Sequence, residues 1–303
     1  MLGRRGRRLT LLAALGLVAI VLASCASSGI PSPDVVTGDA SAGTSKGGIF
    51  IVTCQFSHRA PNDPLVHAGM PGMSHSHDFF GNTTTNASST PDSLINSPTT
   101  CDNTGDRSGY WVPTLSQNGV PMTPTKVQVY YEHNQFLFTG MAGRAVAFPK
   151  GFAMIAGSAK GVRTPDLYTG GGSSMNWYCL GKMDGASGWD AVPSCADGVT
   201  LRIDFPSCWD GVRLYAPDQS HVVYPTYDWT RNLRSCPADH PVVLPHLRYN
   251  IDYPGVTNGA GVTLASGGPG TSHADFMSGW DQQRLTDLVE QTNNGAYNLF
   301  FLN

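Results

Sequence analysis

Apolar residues fall in short runs along most of the chain, cut off by glycine, proline, asparagine or serine. Such runs predict strands at 48–55, 126–131, 145–148, 154–156, 175–180, 200–205, 222–224 and 242–253. In Lys126-Val127-Gln128-Val129-Tyr130-Tyr131 polar and apolar residues alternate, as they do on a strand with one buried face. Helical periodicity is rare. It is clearest at 281–291, where Trp280, Leu285, Leu288 and Val289 fall near one face. Asp281 is placed to cap that helix and Asn293-Asn294-Gly295 to stop it. Many short strands with frequent turns predict a mainly β chain. The expected architecture is an antiparallel β-sandwich-like single domain with long loops and one C-terminal helix.

The N-terminal segment does not fit this pattern. Arg4, Arg5, Arg7 and Arg8 precede an uncharged apolar run, which ends at Leu22-Ala23-Ser24-Cys25. A basic start, an apolar run and small residues mark residues 1–24 as a signal peptide. The run is short for a bilayer span, which needs about 20 residues. A cysteine directly after Leu-Ala-Ser resembles the bacterial lipobox. That resemblance implies acylation at Cys25 and a lipid anchor on the outer side of the cell membrane. Residues 25–46 hold little that can be buried, so they read as a flexible tether. The globular domain is expected at 47–303.

Composition narrows the setting. The chain has 35 glycines and 21 prolines, scattered as turn residues are. The net charge of −3 falls to −7 once residues 1–24, with four arginines and no acid, are removed. No basic cluster remains, which disfavours nucleic acid as a partner. Beyond Cys25 there are six cysteines, Cys54, Cys101, Cys179, Cys195, Cys208 and Cys236, none in C-x-x-C spacing. An even count in an exported chain predicts three disulfides. Pairing nearest neighbours gives Cys54–Cys101, Cys179–Cys195 and Cys208–Cys236.

Histidine and aspartate carry the candidate chemistry. His75-Ser76-His77-Asp78 is the densest site, and on a strand His75 and His77 would share a face. Asp63 lies upstream before Pro64, where it also suits a turn. His221 and the run His273-Ala274-Asp275-Phe276 lie far downstream. The latter echoes His77-Asp78-Phe79-Phe80-Gly81, an echo read here as coincidence. Tyr110-Trp111, Tyr130-Tyr131 and Trp177-Tyr178 suit a core as well as stacking on sugars. Asp210, before Gly211, is a carboxylate or a turn former.

Taken together, these motifs resemble the DUF1996 family of secreted bacterial and fungal proteins. The matching pieces are Asp63-Pro64, Ser74-His75-Ser76-His77-Asp78-Phe79-Phe80-Gly81-Asn82, Tyr110-Trp111-Val112-Pro113-Thr114-Leu115 and Tyr130-Tyr131. They continue with Phe148-Pro149-Lys150-Gly151, Phe205-Pro206-Ser207-Cys208-Trp209-Asp210-Gly211, Cys236-Pro237 and His273-Ala274-Asp275-Phe276-Met277-Ser278-Gly279-Trp280-Asp281. Ala68 stands where the family tends to carry a proline. The resemblance implies an extracellular setting and assigns no catalytic residue.

Three functions fit these residues. The first is a glycan-acting hydrolase. With glutamate confined to Glu132 and Glu290, its acid and base would come from Asp63, Asp78, Asp210 and Asp275, with His75, His77, His221 and His273 handling protons or sugar hydroxyls. The second is a non-catalytic module that binds extracellular polysaccharide. The third is a metal centre made by His75, His77 and His273, alone or with Asp275, a donor set that suits zinc, copper or iron. The expectation shared by the first and third is one pocket that joins His75-Ser76-His77-Asp78 to His273-Ala274-Asp275, with Asp63 and His221 near it.

Overall fold

The computed structural model describes residues 47–133, 140–164, 174–182 and 188–299. The expected signal peptide, Cys25 and the expected tether lie outside these residues. The main sheet has ten strands: β1 (Gly48–Ala60), β2 (His77–Gly81), β3 (Gly109–Pro113), β4 (Lys126–His133), β5 (Ala153–Gly157), β6 (Met175–Cys179), β7 (Val199–Asp204), β8 (His246–Tyr253), β9 (His273–Met277) and β10 (Tyr297–Leu299). Their order is β5-β9-β3-β2-β1-β4-β8-β7-β6, antiparallel throughout, with β10 added to β1 in parallel.

β1 organises the sheet. Its first part, from Gly48 to Gln55, pairs with β4. Its last residues pair with β2 after a register shift between Phe56 and His58. A bulge of this kind bends a strand and increases its twist. One strand therefore belongs to two half-sheets, which fold toward each other over a shared core. Tyr110 of β3 and Tyr131 of β4 meet hydroxyl to hydroxyl at 2.7 Å across that core. Tyr249 of β8 donates to the Asp275 carbonyl of β9 at 3.1 Å. The mainly β, sandwich-like expectation describes this architecture.

The alternation in β4 works as its sequence implies: Val127, Val129 and Tyr131 are buried, while Lys126, Gln128 and Tyr130 are half-buried. Helix α2 (Gln282–Asn293) starts where the Asp281 side chain accepts from the Arg284 N–H at 2.9 Å, and it buries Leu285, Leu288 and Val289. A one-turn helix, α1 (Pro91–Ile95), opens on a Thr90–Ser93 capping box that the periodicity did not reveal. The segment 145–148 is not a strand. Its backbone is held instead by the Asn293 side chain, which bonds both the N–H and the C=O of Ala145, and by the Val243 carbonyl. A side-chain amide has taken the place of a ladder partner.

The three disulfides are Cys54–Cys101, Cys179–Cys195 and Cys208–Cys236, the nearest-neighbour pairing. Among the described residues no helix is long and apolar enough to cross a membrane.

Candidate metal centre

The site lies on the outer face of the half-sheet formed by β2, β3 and β9. His77 pairs with Pro113 and Phe79 with Trp111. Asp275 pairs with Trp111 from the other side. His273, two residues before Asp275, thus comes level with Pro113 and with His77. The alternation of a strand then sets His77, Phe79, His273 and Asp275 on one face. His75 precedes β2 in a loop that folds back over it. The ring centroids stand 4.3 Å apart for His75 and His77, 5.1 Å for His75 and His273, and 5.7 Å for His77 and His273. Each of the three rings offers a nitrogen within 4.8 Å of the other two.

The loop that delivers His75 is built on Asp63. One oxygen of Asp63 accepts from the Leu65 and Val66 N–H groups at 2.8 and 3.0 Å, a turn that starts at Asp63-Pro64. Further along, Gly69 and Gly72, both at positive φ, donate to the Ala87 and Pro61 carbonyls. This pins both turns of the loop.

Hydrogen bonds settle which nitrogens are free. His77 Nδ1 lies 2.9 Å from the Asn62 carbonyl, and His273 Nδ1 lies 3.0 Å from the Thr271 carbonyl. A carbonyl only accepts, so both Nδ1 atoms carry the hydrogen and both Nε2 atoms present a lone pair. The Nε2 atoms of His77 and His75 are buried without a hydrogen-bond partner. Electrostatics keep the rings neutral. Burial lowers His77 well below the ordinary imidazole range, with His273 and His75 adding to the effect. Burial also lowers His273, to about 4, and lowers His75.

Asp275 completes the site. It is fully buried, and neither carboxylate oxygen has a partner. Burial first, and Asp63 second, raise it well above the carboxylate range. Outside these residues opens a cleft of about 520 Å³, lined by Asp63, His67, His75, Lys160, His273 and Asp275 among others.

Two of the residues expected at this pocket lie elsewhere. Asp78 points to the opposite face of β2, because it follows His77 by one. There Arg59 grips both its oxygens at 2.5 and 3.1 Å, and Thr114 donates to it at 3.1 Å. His221 sits behind Tyr215, 6.0 Å ring to ring, with Nε2 on the Ala153 carbonyl at 2.8 Å. It does not line the cleft. Asp210 is a turn former: it accepts from Val212 and Arg213 N–H and pairs with the Arg213 side chain. Tyr110, Trp111, Tyr131 and Trp177 are core residues.

Other residues at the site drew no attention in the sequence. His67 lines the cleft, and its position eight residues before His75 carries no periodic signal. Gln219 holds a strained φ of 58° and accepts from the Ile155 N–H at 2.8 Å, tying the loop at Pro217 to β5. Only the fold brings it there. The echo between His77-Asp78-Phe79 and His273-Ala274-Asp275 has a spatial counterpart, since both runs are strands flanking β3.

No curated protein and no solved structure matches the chain. A family model described as a domain of unknown function, DUF1996, matches residues 63–280. That span starts at the aspartate that shapes the loop and takes in all three histidines, and it covers well over half of the chain. The chain belongs to the DUF1996 family.

Proposed function

We propose that this chain is a cell-surface lipoprotein whose DUF1996 domain holds a transition-metal ion on His75, His77 and His273 and presents it to an extracellular substrate. The observation that carries this reading is the orientation of the rings. His77 and His273 each spend Nδ1–H on a backbone carbonyl, which leaves the lone pair on Nε2, and each of the three rings brings a nitrogen within 4.8 Å of the other two. Metal-bound histidines are oriented in this way by their outer partners. A buried carboxylate with no partner, Asp275, is expensive unless a cation lies nearby. Three neutral imidazoles suit zinc or copper and leave a coordination position for water or substrate on the side of the cleft. The disulfides accord with an oxidising, extracytoplasmic setting. Cys25 would tie the domain to the membrane through lipid, and polysaccharide is the partner class this setting favours.

Elemental analysis of the purified protein tests the reading. One equivalent of metal is expected, lost in His77→Ala and in His273→Ala. A metal-free wild type that takes up neither zinc nor copper at micromolar affinity overturns it.

A second reading rests on Asp275 as a carboxylic acid held protonated beside Asp63, the acid of a glycan hydrolase. In that case Asp275→Asn abolishes hydrolysis on a polysaccharide panel, and chelation of metal leaves the rate unchanged.

A further inference from the structure

The half-sheet that does not carry the histidines has a concavity of its own, of about 530 Å³, on its outer face. Its floor is made by three adjacent strands. Asp252 of β8 lies between Lys126 of β4 and Thr200 of β7, and in the next row Asn250 lies beside Gln128. Tyr130 follows along β4. All six line the groove.

Asp252 is the one carboxylate among the residues that line this groove, and Lys126 and Lys182 are its cations. Asp252 accepts from the Thr200 hydroxyl at 2.9 Å and stands 3.7 Å from Lys126 Nζ. The groups left to act on a ligand are amides and a phenol at the floor and the exposed Lys182 at the rim. Asn250 is 4 % exposed, and its Oδ1 is buried without a hydrogen-bond partner. A buried amide oxygen without a donor is destabilising, so this acceptor at the floor calls for an incoming O–H or N–H. The Arg248 guanidinium lies over the Tyr130 ring, 5.4 Å from its centroid. Recognition here therefore runs through edges and hydrogen bonds. Hydroxyls that both donate and accept complement such a floor, whereas a carboxylate has no hydrogen to give the Asn250 oxygen.

We infer that this groove binds a neutral hexose unit of an extracellular polysaccharide. It stands apart from the metal centre, being built on β4, β8 and β7, and does not depend on that reading. It would hold a polymer chain against the domain, whatever chemistry occurs at the histidines.

Calorimetric titration of the full chain with cellohexaose, laminarihexaose, mannohexaose and an oligogalacturonate tests it. At least one neutral hexasaccharide is expected to bind. Asn250→Ala and Gln128→Ala should each weaken that binding about three- to ten-fold, the loss of one hydrogen bond. His77→Ala should bind like the wild type. Gln128 is half-buried at the surface, so its variant carries the test if Asn250→Ala does not fold. The inference is overturned if no neutral hexasaccharide binds, if only the oligogalacturonate does, if the folded groove variants bind like the wild type, or if His77→Ala abolishes binding.

Discussion

His77 and His273 face each other edge to face at 5.7 Å, although the strands that carry them never pair. Pro113 lies level between them on β3. Two side chains on either side of a central strand normally stand about 10 Å apart at their backbones. These two close that gap by leaning over the intervening residue, and His75 descends from the loop to make the third corner. The centre thus draws on two strands and one loop, so a disturbance of any one of them should register as lost metal.

Gly157 provides the most selective disturbance. It pairs with His273 at φ 85°, and a Cβ there would lie 2.8 Å from the His273 Cα and 2.5 Å from the Ser272 carbonyl oxygen. Gly157→Ala should cost about 1–3 kcal/mol of stability through strain at positive φ and crowding. It should also weaken metal binding while leaving the histidines in the sequence. Thermal unfolding and metal stoichiometry measured on the same sample check this. A variant with wild-type values of both would show that β9 tolerates displacement.

Asp106 should make stability depend on pH. Burial pushes it up to about 6, against the hydrogen bonds from Tyr110 and Ser108. The unfolded chain releases this proton near pH 4, whereas the folded chain keeps it until about 6. The folded state therefore binds more protons between those values. The stabilisation is fully present below about pH 4 and disappears as pH rises through about 6. Asp106→Asn removes the titration. Its stability relative to the wild type should climb by up to about 3 kcal/mol between pH 4 and pH 7. A difference that stays flat over that range would refute the assignment.

The three disulfides close loops of 47, 16 and 28 residues. By loop-closure entropy each contributes about 3–4 kcal/mol, with Cys54–Cys101 the largest. Mass spectrometry without reduction should find all six cysteines bonded in these pairs. Replacing Cys54 and Cys101 together by alanine should lower the unfolding midpoint more than either other double replacement. The reverse ranking would mean that native packing outweighs chain entropy.

Cys25→Ala tests the proposed lipid anchor. The wild-type protein should enter the detergent phase on phase separation, and the variant should stay in the aqueous phase or remain unprocessed. Equal partitioning of the two would remove the lipid from the account.

Alternation and turn residues made most of the sheet legible, because a half-buried strand such as β4 writes its geometry into every second residue. The strands β2, β3 and β9 were harder to read. Buried on both faces, as Phe79 with Phe80 and Tyr110 with Trp111 are, they show no alternation, and their histidines and aspartates look like loop chemistry. The histidine trio could be anticipated from how rare such residues are. Its depth could not, since it depends on Pro113 lying between two strands distant in sequence. Asp78 shows the opposite limit. Adjacent to His77 in the motif, it is a full residue out of phase on the strand, and strand geometry sends it to Arg59.

The strand shared by the two half-sheets lies wholly outside the span that the family model matches, residues 63–280. So do α2 and β10, which cover its first half. A chain cut to the matched span would lose the strand that separates β2 from β4. Each half-sheet would be left with a bare edge of unpaired N–H and C=O groups, the arrangement that recruits other chains into aggregates. Cys101 would lose its partner as well. The smallest piece expected to stay monomeric therefore starts before Gly48 and runs to the end of β10, and a fragment trimmed to the family boundaries should precipitate.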